Sequence, residues 1–262
     1  MIENLKKGGT WLDYKISFSV FTSTSGLLTK TISPDSKGGI TKVPSAYMTS
    51  GFASTEEMPF SEFGPFLRTL EPNQAIGHGV CDSGFAQIAT TGQQDMGYGL
   101  TDEYVTRTKE YFKYPAGLGL AMFDHDPKED KRALLPDNFR EIVVKVWPEF
   151  ENYPTWTTPS TSACIKDMNG KWLNGNGSGF HMYFCVPDAS ILPVFAETLF
   201  KRMWLAGYGH IEIDKAGRMH PSTIFDPSVF SPERLDFVAG ANCVDCVQEL
   251  PAPVFHEGGA QC

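Results

Sequence analysis

The stretch YPAGLGLAMFDHD, Tyr114–Asp126, enters through a Pro and two Gly residues, runs apolar from Leu118 to Phe123 and turns acidic as the run ends. A short apolar run bounded by turn residues predicts a buried central strand. Period-two geometry then places Asp124 and Asp126 on one face of the extended chain and His125 on the other. Paired carboxylates at a strand tip suit hard divalent cations, which take oxygen ligands and can bridge substrate phosphates. Two solvated loop aspartates explain an isolated D-x-D equally well, so the pair carries weight only in company.

Moving outward, Asp137 can cap a helical stretch through Val146, and Pro148 would end it. TTPSTSACI (Thr157–Ile165) and GFHMYFCV (Gly179–Val186) read as two strands joined by the Gly- and Asn-rich turn MNGKWLNGNGSG, a hairpin with a wide loop. From Asp188 to Gly207, Ile191, Leu192, Phe195, Leu199 and Met203 recur at helical spacing, with Lys201 and Arg202 near the end and Gly207 where a C-cap falls. HIEID reads as a strand, followed by irregular chain and RLDFVAGA. On the N-terminal side, ISFSVFTS (Ile16–Ser23) alternates as a half-buried strand, and PSAYMTSGFAST carries turn-prone residues. Phe60, Phe63, Phe66, Leu67 and Leu70 then mark a helix weakened by the Gly64-Pro65 pair. Strands and helices in this mixture predict the α+β class.

Two further stretches bear candidate chemistry. GNGSGFHMYF places His181 at the start of a strand after a glycine-rich turn, where backbone can approach phosphate oxygens and an imidazole can donate to them. A satisfied core or hairpin histidine is the plain alternative. In STIFDPSVFSPERLDFVAGA, Asp226 follows Ile224-Phe225. If Asp226 ends a strand beside the first pair, the three carboxylates form a cage, with Glu212, Asp214 and Asp236 as rival third ligands. Arg234 can meet a phosphate or pair with an acid such as neighbouring Asp236.

In this order and context the three sites resemble the archaeo-eukaryotic primase superfamily, whose palm carries an hDhD motif, an S-x-H motif and a later h-D motif. The matches are MFDHD, GSGFH and IFD. RTKEYFKYPAGLGLAMFDHDPK, the PSTSACI strand and FKRMWLAGYGHIEI followed by FDPSVFSPERLDFVAGA also look like primases of mobile elements and phages. The resemblance covers roughly Asn73 to Ala241. It implies an RRM-like palm with an additional N-terminal αβ lobe, Mg²⁺ or Mn²⁺ on Asp124, Asp126 and Asp226, and nucleotide contacts from Ser178, His181 and Arg234. It further implies a DNA template and nucleoside triphosphates as partners, with a fused or recruited replicative helicase. The chain departs from the pattern at one place: Gly179 stands two residues before His181, and Ser178 three before it.

At 262 residues the chain can bury a core without covalent staples, so a single catalytic domain over 1–262 is expected, with 1–72 as the N-terminal lobe and 243–262 as a C-terminal tail. No run of about 18 apolar residues is present and the N-terminus lacks a signal-peptide stretch, which predicts a cytoplasmic protein with no membrane partner. A net charge of −9 argues against holding nucleic acid by bulk electrostatics, so DNA contacts must be local. Cys243, Cys246, His256 and Cys262 form C-x₂-C-x₉-H-x₅-C, a spacing that can hold a structural Zn²⁺; free cysteines in a tail are the alternative. Two rival functions stand beside polymerisation. A replication-initiator nickase needs an H-x-H pair and a nucleophilic tyrosine, for which His181-Met182-Tyr183 is a poor substitute. An inactive DNA-binding or replisome-scaffolding module would not need the carboxylate set.

Overall fold

A computed structural model describes residues 14–44, 47–95, 104–127, 132–173, 179–214 and 216–259. The strand Gly119–His125 runs two residues further than its apolar core, because both neighbours on its open edge are satisfied by Phe180–Val186 in antiparallel register, from Gly119 opposite Val186 to His125 opposite Phe180. Phe180–Val186 is buried at every position, pairs on its other side with Thr155–Pro159, and Val254–His256 closes this four-stranded sheet. The hairpin expected from the two sequence runs therefore forms. The segment between them adds its own strand, Ile165–Asp167, to a separate pair with Cys246–Gln248.

Both faces of the four-stranded sheet are covered, which is why its central strands contain near-continuous apolar runs. On one face Phe123 stacks on Phe184 at 4.8 Å and meets Phe139, Phe150, Phe225 and Phe230. Those rings come from the helix Pro136–Val146, the 3₁₀ turn Pro148–Asn152 and the chain around Asp226. Asp137 lies in the first turn of that helix and not at its cap, which is Leu135; Pro136 takes the first helical position, where its missing N–H costs nothing. The long helix is Leu192–Leu205, entered through a 3₁₀ turn at Ala189–Ile191 that Asp188 caps through Ser190 N at 3.0 Å. Gly207, at φ +86°, lets the chain leave it.

On the other face Tyr183 meets Phe63 edge-on at 5.1 Å, and Phe63 meets Phe18 at 5.3 Å. Phe63 belongs to the helix Phe60–Leu67, which stops short of Leu70. The Gly64-Pro65 pair that weakens this helix has a tertiary cause. A Cβ on Gly64 would lie 2.3 Å from Trp156 Cε3, so glycine admits the indole, whose Nε1 donates to Phe60 O at 2.8 Å.

Phe18 comes from Lys15–Ser23 in a five-stranded sheet ordered Gln74–Gly77, Lys15–Ser23, Gly51–Pro59, Phe85–Ala89, Tyr104–Thr106. Gly51–Pro59 includes part of a stretch read as turn-prone. It is a strand because all nine of its residues pair with Lys15–Ser23. This sheet draws strands from both sides of residue 72, and the two sheets share one apolar cluster. Residues 243–259 are likewise woven in: Asn242–Cys243 runs parallel to Lys30–Pro34, and Val254–His256 edges the four-stranded sheet. The architecture is α+β with strands in the majority. Among the described residues no helix is long and apolar enough to cross a membrane.

Candidate active site

Strand register brings the first two motifs together. Asp124 lies opposite His181, and His181 opposite Thr158, so carboxylate, imidazole and hydroxyl form one row on the sheet face that carries Tyr183. His181 Nε2 stands 3.7 Å from Asp124 Oδ1, and its Nδ1 3.0 Å from Asp236 Oδ1. Tyr183 Oη donates to Asp236 Oδ2 at 2.7 Å, which leaves the phenol oxygen free to accept from His181 Nδ1 at 3.2 Å. His78 Nε2 approaches Asp236 Oδ2 from the far side at 3.5 Å. The imidazole is thus bracketed by two acids and oriented from behind.

This bracketing decides charge. Burial pulls the His181 pKa down, but Asp236 and then Asp124 outweigh it and raise the group to about 9. Burial would lift the Asp236 carboxyl, yet His181 and His78 hold it well below the usual carboxylate range. Burial pushes the Asp124 carboxyl up, His181 opposes this, and Asp126, Asp236 and Asp226 add to the rise. Asp124 Oδ1 is buried and accepts no hydrogen bond among the described residues.

His125 plays a different part. It points to the helix face, where Nδ1 lies 2.7 Å from Ile224 O and Nε2 accepts from Leu134 N at 3.1 Å. That pairing requires a neutral ring with its proton on Nδ1, and burial correspondingly lowers its pKa. His125 therefore ties the Ile224 and Leu134 segments to the strand bearing the aspartates.

The two histidines shape stability with opposite signs. His181 gains stability that is complete below the ordinary histidine value of 6.5 and is lost as pH rises through about 9. His125 stabilises above 6.5, and its contribution is lost as pH falls below that value, because the unfolded chain then binds a proton that the folded chain resists. Thermal melts between about pH 5 and about pH 10 should peak near neutrality. The alkaline decline should vanish in His181→Ala; a Tm that climbs steadily from neutrality to about pH 9 would reject a charged His181.

The third motif arrives by a loop and not, as its apolar lead-in suggests, by a strand. Asp226 N donates to Asp124 O at 3.0 Å, which seats the loop beside the strand tip. Asp226 then caps the 3₁₀ turn Pro227–Val229, its Oδ1 accepting from Ser228 N at 2.8 Å, while Oδ2 lies 3.6 Å from Arg234 Nη2. Arg234 therefore pairs with Asp226, whereas Asp236 turns inward to His181. Asp214 closes its own hairpin between His210–Ile213 and Met219–Ser222, accepting from Ala216 N, Arg218 N and Arg218 Nε. Those bonds, the Arg218 backbone first, hold it down to about 2. Glu212 lies on the same hairpin, at the cleft wall.

Asp124, Asp126, His181, Asp226, Arg234 and Asp236 line one cleft of about 800 Å³, together with Lys30 and Ser160. Its oxygen donors, Asp124, Asp126 and Asp226, are the residues fit to hold a hard cation, and the orphaned Asp124 Oδ1 is an atom such an ion would satisfy. Among the described residues no three His, Cys, Asp or Glu side chains already meet as a metal cage. Ser178 and Cys262 lie outside the described residues. Cys243 and Cys246 stand beside each other; Cys246 Sγ donates to Ile32 O, and burial together with Cys246 pushes the Cys243 thiol up to about 11. His256 is on the edge of the four-stranded sheet, with Nδ1 accepting from Gly258 N at 3.0 Å.

Sequence reasoning did not identify His78, Tyr183, Lys30 or Ser160 as part of the site. Each reaches the cleft or its supporting network through long-range pairing, and none carries a local motif. Comparison of the chain with protein-family models, curated proteins and solved structures gives no match in any of the three.

Proposed function

We propose that this chain is the catalytic domain of a template-dependent primase-polymerase, with the four-stranded sheet as an RRM-like palm. What carries the reading is that MFDHD, GFH and IFD, remote in sequence, meet at one cleft in the roles the resemblance assigns to them. Nucleotidyl transfer joins a primer 3′-oxygen, or that of an initiating nucleotide, to the α-phosphorus. The bond to the β-phosphate breaks, pyrophosphate leaves, and the hydroxyl proton is lost. Bound Mg²⁺ or Mn²⁺ would neutralise triphosphate charge and lower the pKa of the attacking hydroxyl. Asp124, Asp126 and Asp226 would hold these ions, and close carboxylates become mutually tolerable when a cation is shared.

His181, kept charged and aimed by Asp236 and Tyr183, would donate from Nε2 to a phosphate oxygen. Arg234 would offer its guanidinium to phosphate from the loop that carries Asp226. Phosphoryl transfer asks for little beyond such positioning and charge. The nickase reading loses its nucleophile, because Tyr183 is fully buried with its hydroxyl committed to Asp236. The deciding experiment is primer extension by the purified chain on a DNA template with ribo- or deoxynucleoside triphosphates in Mg²⁺ or Mn²⁺. Template-directed products are expected, and their absence with both sugars and both metals would reject the assignment.

A further inference from the structure

Two rows of residues cross the tip of the four-stranded sheet on its cleft face. The first is Asp124, His181 and Thr158. The second, two positions further along each strand, is Asp126, Gly179 and Ser160, with Ser160 N donating to Gly179 O at 2.9 Å. The middle of the second row is a notch. A Cβ built on Gly179 would stand 2.8 Å from His125 O, 3.1 Å from Ser160 Oγ and 3.3 Å from Asp126 Oδ1. Glycine thus leaves a space with a carboxylate on one side and a hydroxyl on the other.

Ser160 is 4% exposed, lines the cleft, and its Oγ has no hydrogen-bond partner among the described residues. Its neighbours in the same turn are provided for. Thr161 Oγ1 donates to Phe237 O at 2.6 Å, and Ser162 Oγ accepts from Lys42 Nζ at 3.2 Å. A buried hydroxyl without a partner is a standing cost that a ligand oxygen would offset. The ligand's chemistry follows from what else faces the notch. His181 and Lys30 are cationic and the Ser160 hydroxyl can donate, so an anionic oxygen is wanted. Asp126 on the opposite wall would repel such an anion unless a divalent cation came with it.

We propose that the Gly179 notch seats a phosphate group of a cation-bound nucleoside triphosphate, with Ser160 Oγ as a direct donor to it. The proposal rests on the nucleotidyltransferase reading and adds a phosphate-contacting residue to it. The hydroxyl reaches the site from the neighbouring strand at the point where a side chain on residue 179 would have stood.

The test measures Mn²⁺-dependent binding of a nucleoside triphosphate, and of inorganic tripolyphosphate, by calorimetry, alongside primer extension and thermal melts. Ser160→Ala should weaken binding of both about tenfold, as for loss of one bond to a charged group. Its Tm should be unchanged or raised, since an unsatisfied hydroxyl is removed. Gly179→Ala, which fills the notch, should weaken triphosphate binding while sparing DNA binding. Unchanged triphosphate affinity in Ser160→Ala overturns the proposal, as does a loss that tracks a fall in Tm, which would make Ser160 structural. If the wild type binds triphosphate through Ser160 but extends no primer, the polymerase reading falls and the notch assignment stands. If it extends primers and Ser160→Ala does so with unchanged KM, the reverse holds. A wild type that binds neither probe overturns both.

Discussion

Asp124→Asn is expected to reduce nucleotide addition by about a thousandfold, roughly 4 kcal/mol of transition-state stabilisation, while melting at or above the wild-type temperature. The two halves of this expectation have one cause. Asp124 Oδ1 is closed off from water, accepts no hydrogen bond among the described residues, and faces three further carboxylates that make its charge unfavourable. An amide of the same size relieves that repulsion, so the empty fold should tolerate the change or gain from it. Catalysis needs the same charge as a cation ligand, and an amide oxygen is a weaker one. Asp126→Asn should show a comparable loss, again without unfolding, because Asp126 is exposed just past the strand end. Near-normal synthesis by both variants would reject the metal site, and a loss of activity accompanied by a lower Tm would say nothing about it.

How much of this was legible in sequence depended on whether the signal was local. The strand Gly119–His125 and its register partner Phe180–Val186 announce themselves as apolar runs, because both faces of the sheet are covered. The side-chain alternation that puts Asp124 and His181 in one row follows from strand geometry alone. Gly51–Pro59 was hidden, since GFASTEEMP is polar and becomes a strand only through backbone pairing along its full length with Lys15–Ser23. Asp236 was visible as an acid but not as the partner of His181. Its apparent neighbour in sequence, Arg234, faces the opposite way, and the contact that defines its role spans 53 residues to Tyr183. Ser160 was unreadable for the same reason: its meaning lies in the space left by Gly179 on another strand. The α+β class and two of the site's three motifs were therefore within reach of local pattern, while the network that aims His181 was not.

Asp226, and not Asp214 or Asp236, should complete the cation site, and substituting each by Asn separates the three. Asp226 is tied to Asp124 through its backbone N–H and keeps a partly exposed carboxylate at the cleft, with Oδ2 held only by a 3.6 Å approach of Arg234. Losing its charge should abolish most incorporation, about a hundredfold or more, with a near-native Tm and partial recovery as Mn²⁺ is raised, as expected when a ligand is weakened and the fold is not. Asp214 is already engaged by two backbone N–H groups and Arg218, so Asp214→Asn should loosen its hairpin slightly and leave incorporation close to wild type. Asp236 is buried as the counter-charge of His181, and breaking a buried pair costs about 3–5 kcal/mol, which at this chain length lowers Tm by roughly 5 °C or more. Asp236→Asn should therefore lose activity and stability together, and extra Mn²⁺ should not restore the activity. A folded, inactive Asp214→Asn, or an Asp236→Asn of unchanged Tm rescued by Mn²⁺, would move the third ligand away from Asp226 while leaving the Asp124–Asp126 pair in place.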